Sequence, residues 1–297
     1  MEGGKSKAAV RAERNAIIEA FTMTQYQYQQ IDVFSLEPLK GNPLAVVIAA
    51  DSLTDDQMLA FANWTNLSET SFLLKPKDRK ADYRVRIFTP EGELPFAGHP
   101  TLGTCHVWLN CGGNPKAAEI LQECGIGLIR IVRDADRLAF AAPPLRRYGT
   151  VEAETLIQIA RSLHIPVNTI TASSWVDNGP GWVAIMLATR DEVLALKPDY
   201  AAMSGLSIGV VAPWQNGDAQ FEVRAFLPGV SAEDPVTGSL NAGLAQWLIA
   251  ARLAPTQYVA SQGTVLGRAG RVHISQFSNE IWVGGHTVTR IEGTLTL

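Results

Sequence analysis

Glu69 stands in Leu67-Ser68-Glu69-Thr70-Ser71-Phe72, between a helix-type segment and an apolar strand-type segment. A carboxylate carried into a buried strand is costly unless it is paired or put to use. Burial also raises its pKa towards neutrality, which suits a general acid/base; the alternative is a surface glutamate at a strand end. His99, in Gly98-His99-Pro100-Thr101, is placed at or near a helix N-cap, where the dipole keeps it neutral and able to donate or accept a hydrogen bond. Asp234, in Ala232-Glu233-Asp234-Pro235, is a good N-cap in any protein, and Ser239 follows within the first turns, where its hydroxyl could meet a ligand. Gln262-Gly263 and Gly267-Arg268 form a polar loop from which Arg268 could clamp a carboxylate or sit in solvent. His106, His164, His273 and His286 have no paired context.

Other chemistries lack their residues. There is no GxxxxGK or GxGxxG for a nucleotide, and no HExxH or close Cys/His set for a metal, so neither cofactor nor metal is expected. Gly205-Leu206-Ser207-Ile208-Gly209 matches GxSxG by letter. It follows a helix-type segment and precedes a strand, whereas a nucleophile elbow needs strand, turn and then helix.

The elements that must hold these residues are readable in outline. Strands are predicted at Tyr26–Phe34, Leu44–Ile48, Ser71–Leu74 and Tyr83–Phe88, with a capping-box helix from Asp55 to near Asn66. Thr89–Pro95 reads as a loop. A second helix opens at Gly98-His99-Pro100 and stops at Gly112-Gly113. Strands follow at Ile126–Arg133 and Leu138–Ala141, then a linker at 142–149. The second half begins with a helix near Val151–Leu163 and strands at Thr169–Val176 and Trp182–Leu187. A helix near Asp191–Leu194 or Asp199–Met203 precedes a strand at Ile208–Ala212, and the chain ends in strands at Val259–Ser261, Arg271–Ser275, Glu280–Gly284 and Arg290–Leu297.

The two halves echo each other. Arg86-Ile87-Phe88-Thr89-Pro90 resembles Arg224-Ala225-Phe226-Leu227-Pro228, and His99-Pro100-Thr101-Leu102-Gly103 resembles Asp234-Pro235-Val236-Thr237-Gly238. Each leads into a small-residue helix with a tryptophan near its end, Trp108 or Trp247. A repeat this long is not a solenoid; it fits a duplicated domain facing its copy across a cleft. Two helix N-termini at that cleft would present unpaired N–H groups to a small carboxylate. Gly98, Gly103, Gly238 and Gly243 would permit close helix packing and backbone approach.

Composition bounds the rest. The 297 residues carry 25 Lys+Arg against 29 Asp+Glu, a net charge of −4, which argues against broad nucleic-acid binding. Hydrophobic residues at 46% indicate a packed globular protein, and no apolar run approaches a membrane span. Three cysteines without a CxxC fit a reducing compartment, so a cytoplasmic location is expected. Residues 1–23 have no apolar core of a secretory signal and are expected to be a flexible extension, with a short helix at 8–21.

Six blocks occur in order: Asp32-Val33-Phe34, Gly41-Asn42-Pro43, Ser68-Glu69-Thr70, Phe96-Ala97-Gly98-His99-Pro100-Thr101, Glu233-Asp234-Pro235-Val236-Thr237-Gly238-Ser239, and Gln262-Gly263 with Gly267-Arg268. Together they resemble the phenazine-biosynthesis PhzF-like isomerase family over residues 24–297. The resemblance implies an α+β, diaminopimelate-epimerase-like fold. Two pseudo-symmetric domains, 24–145 and 146–297, would each wrap a curved, barrel-like sheet around a central helix, with the site in the cleft and the final strand free to return to the first domain. It further implies a homodimer, no cofactor and a small carboxylate substrate, with Glu69 as acid/base and His99, Asp234 and Ser239 around it. Gly98, Pro100, Thr101, Gly238, Gln262, Gly263 and Arg268 are the expected substrate contacts. The family's phenazine enzyme moves a proton within trans-2,3-dihydro-3-hydroxyanthranilate. The fold's epimerases oppose two cysteines at the helix starts; here those positions read as Ala97 and Asp234. A racemase without cysteines, or a non-catalytic binding protein on this fold, remains the alternative.

Overall fold

The structure, a computed structural model, describes residues 24–229 and 232–297; the expected extension 1–23 and its helix lie outside the described residues. The first half runs β1 (Gln25–Val33), β2 (Asn42–Ile48), α1 (Asp55–Thr65), β3 (Thr70–Leu74), β4 (Tyr83–Phe88), β5 (Glu93–Leu94), α2 (Gly98–Asn110), β6 (Ile120–Cys124), β7 (Gly127–Asp134) and β8 (Arg137–Ala141). After β9 (Arg147–Gly149) and α3 (Ala153–Ser162) the same order returns. It runs β10 (Ala172–Asp177), β11 (Trp182–Met186), α4 (Arg190–Ala195), β12 (Ser207–Pro213), β13 (Phe221–Leu227), β14 (Ala232–Glu233), α5 (Gly238–Ala250), β15 (Gln257–Gln262), β16 (Gly270–Phe277) and β17 (Glu280–Gly285). A last strand, β18 (Thr287–Thr296), is added.

Pairing repeats with the order. β2 lies parallel to β3, β3 antiparallel to β4, β4 parallel to β6, and β6, β7 and β8 follow antiparallel. β11, β12, β13, β15, β16 and β17 reproduce that pattern. β8 pairs with β17, joining both halves into one curved sheet, and β18 returns along the full length of β1.

Local sequence explains the helices that frame the site. Thr54 and Gln57 form the expected capping box of α1, and Asn66 ends it in the left-handed conformation at φ 53°. α2 and α5 are buried through most of their length, because each is the axis around which half of the sheet curves. β3 and β11 are buried at every position because both of their faces are covered. Leu73 joins the cluster around the central helices, while Phe72 and Leu74 pack outward on Met58, Phe61 and Ala62 of α1.

Several expectations change, among them the 142–149 linker, whose last three residues form β9 beside β10. The Thr89–Pro95 loop contains β5, paired to β4. β6 was not foreseen: Leu, Gln, Glu and Cys have little strand preference, and its place beside β4 and β7 supplies the order. Of the two helix positions after β11, the first is α4 and the second a single 3₁₀ turn, Ala201–Met203.

Candidate active site

A cavity of about 720 Å³ opens where the N-termini of α2 and α5 meet. Gly98 and Gly238, the first residues of those helices, lie back to back. A Cβ on Gly98 would stand 2.6 Å from the Cα of Gly238, so neither position has room for a side chain. Each helix leaves its first amides without an intrahelical acceptor, and both sets converge here. Among the described residues that line the cavity there is no lysine or arginine. Phe96, Leu94, Trp182 and Leu227 supply apolar walls.

Glu69, Asp234 and Ser239 line this cavity. Glu69 is delivered by the α1 stop at Asn66, three residues before it, and by the start of β3 directly after it. Its side chain is 15% exposed, and its Oε2 lies 3.5 Å from Nε2 of His99. Both of those atoms are buried and have no hydrogen-bond partner. Burial, reinforced by the nearby Asp234 carboxylate, pushes the Glu69 carboxyl well above the usual carboxylate range. Burial pulls His99 down to about 3, so the imidazole is neutral at ordinary pH. Asp234 is also raised by burial, against hydrogen bonds from Thr237 and Asn42 that favour its charged form.

The site residues rest on a buried polar frame. Asn42, at the start of β2, donates from Nδ2 to Asp234 Oδ1 at 2.9 Å and to the Val236 carbonyl at 3.0 Å, with His99 Nδ1 at 3.3 Å. Thr237 Oγ1 donates to Asp234 Oδ2 at 2.5 Å. Trp182 Nε1 donates to Ser239 Oγ at 3.1 Å, and Asn178 holds the Ser239 carbonyl. Behind Asp234, Arg224 grips Glu233 through two N–H···O contacts of 3.0 and 2.7 Å. Arg86 grips Glu93 in the same way in the first half.

Several expected contacts lie elsewhere. Pro100 and Thr101 are buried in the first turn of α2, and Thr101 bonds the Ala97 carbonyl and Gln122. Gln262 sits under the loop, bonding the Asp234 carbonyl and both the amide and hydroxyl of Thr237. Gly263, at φ 90°, carries the chain from β15 into a 3₁₀ turn. Arg268 does not face the cavity: its Nη1 donates to the carbonyls of Leu39 and Gly41, fixing the turn that precedes Asn42.

The repeat register also changes. The N-caps are Ala97 and Thr237, so His99 is the second residue of α2 and Asp234 precedes α5 by four positions. Phe88 pairs with Glu93 and Phe226 with Glu233, so Glu93 matches Glu233 and His99 matches Ser239, not Asp234. The β13–β14 ladder runs one pair further towards its turn, Leu227 with Ala232, which adds two residues between the matched positions and hides the register when the prolines are aligned. By the same logic Thr70 and Ile208 pair with Phe88 and Phe226, which puts Ser207, the GxSxG serine, at the place of Glu69. Asn42 and Thr237 stand in the motif blocks without an expected site role, and Trp182 stands in a predicted strand. An asparagine set before an apolar strand was the available signal for the first; the others gave none.

The family model for phenazine biosynthesis-like proteins, PhzC-PhzF, matches residues 31–293. The chain belongs to this family. A relative from Schizosaccharomyces pombe, named antisense-enhancing sequence 1, is 37% identical over 91% of this chain and 99% of its own length. Trans-2,3-dihydro-3-hydroxyanthranilate isomerase of Pseudomonas aeruginosa is 31% identical over 84% of this chain and 89% of its own. The crystal structure of a PhzF-family protein from Enterococcus faecalis superposes with a TM-score of 0.76 at 26% identity, covering 92% of this chain and all of that one. A hydroxyproline epimerase from Agrobacterium vitis shares the fold at a TM-score of 0.56 and 13% identity, over 92% and 93% of the two chains. This PhzC-PhzF chain is therefore an isomerase-family protein with an epimerase-like α+β fold. Among its described residues no helix is long and apolar enough to cross a membrane, and no group of three or more His, Cys, Asp or Glu is arranged to hold a metal ion.

Proposed function

We propose that the chain is a cofactor-independent isomerase in which Glu69 moves a proton between two carbons of a small carboxylate-bearing metabolite of the trans-2,3-dihydro-3-hydroxyanthranilate type. The observation that carries this is the buried Glu69–His99 pair, 3.5 Å apart, with Glu69 open to a cavity that two helix N-termini share. A carboxyl raised well above its usual range by burial holds its proton more readily and can still give it up, the condition for general acid/base work. The substrate carboxylate would be held by the amides of α2 and α5 and by the Ser239 hydroxyl, since no lysine or arginine is among the described residues that line the cavity.

The repeat favours a one-base isomerisation over racemisation. Racemisation by the fold's two-thiol scheme needs opposed groups, and the helix starts here carry Ala97 and Thr237. Opposite Glu69, the second half offers the hydroxyl of Ser207, a poor acid/base near neutrality. The second reading is a non-catalytic small-molecule-binding protein on this fold; the S. pombe relative is named antisense-enhancing sequence 1 rather than as an isomerase.

Turnover decides between them. Incubation with trans-2,3-dihydro-3-hydroxyanthranilate and a panel of small cyclic amino and keto acids, followed by NMR, should reveal an isomerised product. Glu69→Gln should reduce that rate by about 10²–10⁴-fold. Saturable binding across the panel with no conversion by the wild-type protein would support the binding reading instead.

A further inference from the structure

The structure assigns Asn42 a positioning role: its amide locks His99 into the Nε2–H tautomer, so that the ring can only donate towards Glu69. This deepens the acid/base reading of Glu69 and rests on it for its catalytic meaning, though not for its geometry.

The argument begins with which way the amide points. Asn42 is fully buried. Two of its neighbours, Asp234 Oδ1 at 2.9 Å and the Val236 carbonyl at 3.0 Å, are oxygens that here can only accept. Turning the amide over would set its oxygen against both of those acceptors, two repulsive contacts, whereas as placed it leaves only its own Oδ1 buried without a partner. The NH₂ end is therefore fixed by partners that do not include the histidine. His99 Nδ1 lies 3.3 Å from that NH₂ group. A protonated Nδ1 would set donor against donor, so Nδ1 must present its lone pair. A neutral ring carries one proton, and it is left on Nε2. The nearest acceptor to Nε2 is Glu69 Oε2 at 3.5 Å, and neither atom has a hydrogen-bond partner.

Two consequences follow for the acid/base. Oε2 of Glu69 is buried and faces Nε2 at 3.5 Å, so a proton on Oε2 would set donor against donor. The proton that Glu69 takes up and gives back then resides on Oε1, the oxygen left to the cavity. The same Asn42 amide also holds Asp234 Oδ1, so one side chain of the first half sets the orientation of a residue from each half.

The test is the ¹⁵N spectrum of the full-length protein labelled at histidine, with His99 assigned by comparison with His99→Gln. A protonated Nε2 and an unprotonated Nδ1 at neutral pH are expected. A protonated Nδ1 in the wild-type protein would overturn the lock. Asn42→Asp replaces the NH₂ group with an oxygen that needs a donor, so the ring should switch to Nδ1–H. The kcat should then fall by about 10²–10⁴-fold with a much smaller change in KM, the range seen when a catalytic histidine is held in the wrong tautomer or deprived of its proton partner. If Asn42→Asp does not fold, Asn42→Ala should show a mixture of tautomers; a pure Nε2–H ring in that variant would equally overturn the lock. Turnover that survives Glu69→Gln, in a protein whose wild-type ring is Nε2–H, would remove Glu69 as the acid/base and leave the lock standing.

Discussion

Glu69 is held in a state that favours chemistry over stability. Its carboxyl is raised above the ordinary value of 4.5, mainly by burial and also by Asp234. A raised carboxyl binds its proton in the folded chain when the unfolded chain has released it. Its contribution to stability is thus fully present below the ordinary value and is lost as pH rises through the raised one. Glu69→Gln removes that loss. Urea-unfolding midpoints should be matched in acid and should favour Glu69→Gln increasingly on the alkaline side; a variant uniformly weaker at every pH would contradict this. Much of the residue scale was visible in the sequence. A glutamate entering an apolar strand and a histidine beside a helix-opening Gly-Pro context identify themselves by residue type and place. Asn42 did not, because its importance lies in contacts to His99 and Val236, which are distant in the chain and adjacent only after both halves fold.

At the scale of elements, the site depends on how closely two helix starts approach. Gly98 and Gly238 touch backbone to backbone, with 2.6 Å between a built Cβ and the facing Cα. Gly98→Ala must push α2 and α5 apart. It should cost about 1–3 kcal/mol in unfolding free energy, the usual range for overpacking a close contact. It should also raise KM for a carboxylate substrate, because the amides no longer converge; an unchanged KM in a folded variant would show that these amides do not bind substrate. The repeat was legible as a repeat, but its register was not. The matching prolines and glycines drew His99 onto Asp234, while strand pairing and the duplicated Arg86–Glu93 and Arg224–Glu233 grips place His99 with Ser239. Short motifs slide along a sequence; a hydrogen-bonded ladder cannot slip by one residue without turning its core face outward.

At the scale of the whole molecule, neither half owns all of its own edges. β1 of the first half is covered by β18, and β8 is paired with β17. The main core cluster runs without a break from Ile31 to Val283. A fragment ending at residue 145 would leave β1 and β8 unpaired on those sides. It is expected to show no cooperative thermal transition by circular dichroism, whereas the full chain should show one. A sharp transition in the fragment would mean that the cross-half strands contribute little. The net charge of −4 remains compatible with an anionic ligand, because the two helix N-termini supply local positive potential that a formal charge count does not record.

The most direct measurement of the central claim is deuterium transfer. A turned-over substrate is incubated in D₂O with wild-type protein and with Glu69→Gln, and the product is read by NMR at each carbon. The account predicts deuterium at the single carbon that receives the proton, in an amount set by exchange of the Glu69 carboxyl with solvent, and a loss of about 10²–10⁴-fold in the variant. Equal rates and equal labelling in the two proteins would contradict it.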